Sequence, residues 1–97
     1  MLDKAWAAGY YRSMSPTVFR WKGYRFFFFS REEARPHVHV GCPDGEAKFW
    51  LAPTVSVAKN YGLSKTQLAQ LTKVVEAKKD EILRSWQKHF RGGSHQH

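Results

Sequence analysis

The chain predicts an α+β domain: an antiparallel sheet of about four strands, a short helix, and a long C-terminal helix packed on one face. Three observations predict it. Residues 17–51 alternate in hydrophobicity between turn residues, the period-two signature of half-buried strands. Leu63-Ser64-Lys65-Thr66-Gln67-Leu68 carries a capping box, and an apolar stripe at helical spacing follows it. The composition, 42% apolar and 15% aromatic in 97 residues, allows one small core without disulfides or metal and argues against disorder.

The elements follow in order. Residues 1–13 read as an N-terminal extension in which Trp6, Tyr10 and Tyr11 could pack as a turn of helix, and residues 14–90 read as the single domain. Thr17 to Lys22 alternates as the first strand, and Gly23 turns it tightly into Tyr24 to Ser30. Phenylalanine occupies both parities of that second strand, so both of its faces should be covered, as in a central strand. Arg31 to Pro36 is a charged loop, and His37 to Gly41 forms the third strand. Cys42-Pro43-Asp44-Gly45 has the chemistry of a type I turn closed by a left-handed glycine. Glu46 to Leu51 returns as the fourth strand, with Glu46, Lys48 and Trp50 on one side and Ala47, Phe49 and Leu51 on the other.

Pro53 opens a short helix over 54–61, stopped by Gly62. Ser64 then caps a long helix that runs to about Phe90, before Gly92. Its stripe of Leu68, Leu71, Val75, Ile82, Trp86 and Phe90 weakens at Lys78 and Lys79. Such a helix spans about 39 Å, roughly twice a typical strand, so its far end must bend back, meet the N-terminal segment, or meet another chain. Residues 91–97 read as a flexible tail.

Sixteen Lys and Arg against eight Asp and Glu leave a net charge of +8. A field of that sign attracts polyanions and excludes DNA mimicry. Cys42 is the single cysteine, which excludes an intrachain disulfide and suits a reducing cytoplasm. The longest apolar run, Phe26 to Phe29, is far too short for a bilayer, so a cytoplasmic chain with no membrane partner is expected.

His37-Val38-His39-Val40 is the most informative motif. On a strand, alternate residues share a face, so His37 and His39 would present two imidazoles about 7 Å apart. One could act as base and the other as acid in moving a 2′-hydroxyl onto its neighbouring phosphate, without metal. Lys48, Arg25 or Arg20 could neutralise charge on phosphorus. Tyr24, Phe26 to Phe29 and Trp50 could stack bases, edged by Arg20, Lys22, Arg25 and Lys48, although aromatic strands are more often core. Trp50, sharing parity with Lys48, is the better surface candidate. Zinc is the rival reading, but strand parity sends Cys42 away from the histidines, and no metal or other cofactor is assigned. Ser64 to Leu71 after Gly62 faintly resembles a helix-turn-helix with Thr66, Gln67 and Gln70 at base edges.

Pro16-Thr17-Val18, Gly23-Tyr24-Arg25-Phe26-Phe27-Phe28, Pro36-His37-Val38-His39-Val40, Gly45 to Leu51, Asn60-Tyr61-Gly62 and Trp86 occur in order. Together they resemble the small bacterial family known as domain of unknown function four-one-six-zero, over about residues 14–90. The resemblance implies a two-gene toxin–antitoxin module with this chain as the toxin and a small cognate antitoxin-like protein as its partner. It brings no catalytic residue.

The leading expectation is thus a toxin-like component acting on RNA, a metal-independent ribonuclease with His37 and His39 as its acid–base pair. Arg20, Lys22, Arg25, Lys48 and Trp50 would form the nucleic-acid contacts. The alternative is a non-catalytic nucleic-acid- or protein-binding regulatory module, in which Trp86 and Phe90 at the exposed helix end would dock a partner or a second copy.

Overall fold

The computed structural model describes residues 17–29 and 34–95, with side chains as far as Phe90. The readings of residues 1–13 as an extension and of the charged loop at Arg31 fall outside the described residues, as does the tail's end. Five strands form one antiparallel sheet in sequential order: β1 (Thr17–Trp21), β2 (Tyr24–Phe27), β3 (His37–Cys42), β4 (Gly45–Trp50) and β5 (Ser56–Tyr61). Two helices follow, α1 (Lys65–Ala77) and α2 (Lys79–His95).

The β1–β2 hairpin turns on two residues with positive φ, Lys22 at 46° and Gly23 at 83°. That is the mirror-image turn whose twist matches paired strands, so Lys22 sits in the left-handed region beside the expected glycine. β2 is covered on both faces, with Phe26 and Phe27 both buried. The β3–β4 hairpin has Pro43 and Asp44 as its loop, and Cys42 faces Gly45. Gly45 is not among the residues with positive φ, which corrects the expected left-handed glycine. It must be glycine for another reason: a β-carbon there would fall on the Tyr61 carbonyl oxygen.

The expected short helix over 54–61 is instead the strand β5. Val55 and Val57 alternate with period two and are β-branched, which suits an extended chain better than one turn of helix. The Ala52–Pro53 peptide is cis, and Pro53 lies in a bend ahead of β5. β5 pairs with β4, slipping register between Lys48 and Phe49, and closes at Gly62, whose φ is 89°. Asn60 clamps the exit: its amide nitrogen donates to the Leu63 carbonyl at 3.0 Å and its oxygen accepts from the Leu63 N–H at 3.1 Å.

The capping box is present as expected. Ser64 Oγ accepts from the Gln67 N–H at 3.0 Å, and Gln67 Oε1 accepts from the Ser64 N–H at 2.9 Å. Gln67 Nε2 also donates to Tyr24 Oη at 3.0 Å and to Asp44 Oδ2 at 3.1 Å, tying the helix start to β2 and to the β3–β4 turn. With Gln67 so engaged, and a strand before it, the helix-turn-helix reading fails.

The single long helix is interrupted at Lys78, where the sequence stripe weakens. Lys78 has φ −107° and ψ 14°, and its ammonium lies 5.3 Å from the Phe19 ring. The helical bonds survive the break, from the Lys78 N–H to the Val74 carbonyl and from the Ile82 N–H to the Lys78 carbonyl. α2 continues through Gly92 and Gly93 to His95, beyond the stop expected before Gly92.

One layer of helix covers one face of the sheet. Phe26, Phe28, Val38, Val40, Phe49 and Leu51 supply the sheet side of the core, and Leu71, Val75, Ile82 and Trp86 supply the helix side. Each such side chain contributes roughly 1.5–3 kcal/mol by leaving water. No helix among the described residues is long and apolar enough to cross a membrane.

Candidate nucleic-acid interface

Register places the chemistry on the sheet face opposite the core. His39 faces Lys48, His37 faces Trp50, and Gly41 faces Glu46, while Val38 and Val40 turn to the helices. Across the other junctions Phe27 faces His39, Arg25 faces Gly41, and Arg20 faces Arg25. On the far side Lys48 faces Lys59 and Glu46 faces Tyr61. One face therefore carries Arg20, Arg25, Lys48 and Lys59 around a histidine strip.

The strip is sealed. His37 and His39 do share a face, with ring centroids 5.2 Å apart, but they are only 0% and 6% exposed. His37 Nδ1 donates to the Arg35 carbonyl at 2.7 Å, which places the proton on Nδ1 because a carbonyl only accepts. Its ring lies edge-on to Trp50 at 5.7 Å and 4.9 Å from Trp86. His39 stacks on Phe27 at 5.5 Å and packs on Phe29 at 4.2 Å, with Nδ1 3.4 Å from Glu46 Oε2. An acid–base pair must reach its substrate's proton directly or through one water. In this arrangement aromatic rings pack around both imidazoles, and neither is exposed.

The cations are placed differently. Arg25 lies 4.5 Å over Phe27 and donates from Nε to Thr17 Oγ1 at 2.6 Å. Lys48 lies 4.5 Å and Arg35 4.0 Å from the Trp50 ring, and Arg35 Nε donates to the Ala52 carbonyl at 3.1 Å. Two cations thus lie over the ring of the half-buried Trp50. Lys22, at the hairpin tip, lies 5.4 Å over Trp21 and apart from the row of cations. Arg20 and Lys59 are exposed and have no salt-bridge partner among the described residues.

Tyr24, Phe26, Phe27 and Phe28 are buried, so they are core rather than platform. Trp86 is also buried, 7% exposed, against Phe28 at 5.4 Å and Phe90 at 4.1 Å. Trp86 is folded onto the chain's own core, and Phe90 is half-buried beside it. Cys42 packs toward the core, away from the histidines. Among the described residues no group of three or more His, Cys, Asp or Glu stands close enough to hold a metal ion.

Sequence reasoning missed Arg35 and Lys59. A helix over 54–61 gives Lys59 no cross-strand neighbour, whereas the strand β5 sets it opposite Lys48. Arg35 stood in a charged loop, and only its distance to Trp50 distinguishes it.

The sequence matches the family described as domain of unknown function (DUF4160) over residues 23–87, well over half of the chain. The chain belongs to this family. The match begins at the β1–β2 turn and ends one residue after Trp86, so it takes in the histidine strip, Lys48 and Lys59. No curated protein and no solved structure matches the chain.

Proposed function

We propose that this DUF4160 protein is a non-catalytic RNA-binding module whose contact surface is the basic face of the sheet. One observation carries the reading. Two like-charged pairs stand directly opposite each other on that face, Arg20 with Arg25 and Lys48 with Lys59. Like charges in such register destabilise a sheet, and an anionic ligand bridging each pair turns the repulsion into attraction. The net charge of +8 acts in the same direction at longer range. Phosphates spaced along a single strand suit cations distributed along a sheet, and the clamped Arg35 adds a preorganised donor fork.

The sealed histidines then act as structural members that hold β3 against β4 and α2. In the two-gene setting that the family resemblance implies, RNA contact by this face is the activity that an antitoxin-like partner would block.

Anisotropy of a labelled single-stranded RNA across a salt series tests the reading. The logarithm of affinity is expected to fall linearly with the logarithm of salt, and Arg20→Gln or Lys59→Gln to reduce the slope by about 0.7 each. A slope unchanged by these substitutions would remove the proposed surface.

A further inference from the structure

The sheet has two edges, and they are built differently. On β1, Phe19 stacks on Phe26 at 4.2 Å and Trp21 on Tyr24 at 5.9 Å, so its large side chains are committed to the fold. On β5 they are not. Val57 and Tyr61, 41% and 53% exposed, are the exposed large hydrophobics among the described residues, and both lie on this one strand. By pairing, Val57 belongs with Phe49 on the helix side and Tyr61 with Glu46 on the other, so apolar surface flanks the edge on both faces. Among the described residues no strand pairs with the outer side of β5, so one row of its peptide groups has no strand partner there.

Natural edges are guarded, and β5 shows how. It carries Lys59 at its middle and a register slip against Lys48 and Phe49. These devices work against pairing with a second copy, which would bring Lys59 near its equivalent and +8 against +8. The same lysine favours an added strand of opposite charge. The strand is also preorganised: Asn60 grips Leu63 from both amide atoms, and Gly62 packs against the Asp44 carbonyl oxygen, where a β-carbon would lie at 2.7 Å. A rigid edge lowers the ordering cost of strand addition to the incoming segment alone.

We propose that β5 captures an extended acidic segment of another protein by strand addition, extending the sheet beyond Tyr61. Main-chain hydrogen bonds to the open edge would supply affinity. Val57 would cover the segment's apolar positions on the helix side, and Lys59, with Lys48 behind it, would select carboxylates on the other side, where the Tyr61 ring covers their methylene stems. This inference shares Lys59 and Lys48 with the RNA reading but rests on the edge's peptide groups, so the N-methylated peptides, not the Lys59 variant, separate the two.

The test uses the full chain, isotope-labelled, with a synthetic peptide of about eight residues alternating valine and glutamate. A valine–lysine peptide is the charge control. The expected result is slowed amide exchange and shifted signals along Ser56–Tyr61 with the glutamate peptide alone. Lys59→Glu should weaken that binding by about tenfold or more and allow the lysine peptide to bind instead. Two further glutamate peptides, N-methylated on the odd or on the even amides, report the mode. In an added strand only alternate amides face the edge, so one must lose binding and the other keep it. Equal binding by both, signals confined to Arg20 and Arg25, or a chain that dimerises through β5 without peptide would each overturn the proposal. Loss of peptide capture with RNA affinity intact would leave the face reading standing.

Discussion

Lys48 on β4 and Lys59 on β5 stand directly opposite each other, on the face that also carries His39. Opposed like charges cost a sheet roughly 0.2–1 kcal/mol, so Lys59→Gln should raise stability by about that amount. The same substitution should weaken RNA binding and flatten its salt dependence. Urea denaturation and RNA anisotropy on one sample measure both. Opposite signs are the signature of a residue kept for a ligand; a loss in both would mean that Lys59 serves the fold.

His37→Ala separates structural from chemical roles at the histidine strip. The ring is fully buried, bonded to the Arg35 carbonyl and wedged between Trp50 and Trp86. Removing it leaves a cavity and a carbonyl without its donor, at a cost of about 2–4 kcal/mol. The midpoint of urea denaturation should fall accordingly. RNA affinity of the folded fraction, measured well below that midpoint, should stay within about twofold, because the ring touches no solvent. A large loss of affinity with unchanged stability would return His37 to the site.

The amount legible in the sequence depended on how locally each feature is encoded. The capping box at Ser64 and Gln67 needs only its own neighbours, and it formed as read. The alternation of Glu46 to Leu51 also held, because burial on one face imposes period two whatever the rest of the chain does. Residues 54–61 are ambiguous by the same logic: Pro53 and Gly62 bracket a helix or a strand equally well, and β4's free edge decides between them. Misplacing β5 hid the Lys48–Lys59 pair. His37 and His39 were placed on the correct face, but their burial depends on Phe29 and Trp86 arriving from other elements. Strand parity cannot reveal that. The break at Lys78 was visible as a weakened stripe, although not as the place where Trp86 is brought back over the sheet.

Gly45→Ala addresses the closest backbone approach in the fold. A methyl group there meets the Tyr61 carbonyl oxygen, so the β3–β4 turn and the end of β5 would have to part. Overpacking of this kind costs about 1–3 kcal/mol, and the damage should spread to the Gly62 turn. Amide exchange should quicken at Tyr61 and Leu63 as well as at residue 45. Unchanged exchange at Tyr61 would mean that the strands separate at no cost.

Gln67 offers the sharpest dissection, since one side chain performs two tasks with two different atoms. Its Oε1 completes the capping box, whereas its Nε2 joins Tyr24 to Asp44. Gln67→Ala removes both and should cost about 1–2 kcal/mol. Gln67→Glu keeps an acceptor for the Ser64 N–H and adds favourable charge in the first helical turn. It also sets a carboxylate against Asp44 and removes the donor from Tyr24. If the cap dominates, Glu should be more stable than Ala; if the tie dominates, Glu should be the worse of the two. Because Asp44 is exposed while Tyr24 is buried, the repulsion is screened and the lost donor to Tyr24 is not. A tyrosine hydroxyl can turn to donate to the new carboxylate, which restores that bond. Gln67→Glu is therefore expected to lie between the parent and Gln67→Ala at neutral pH, with the gap to the parent narrowing as salt screens Asp44.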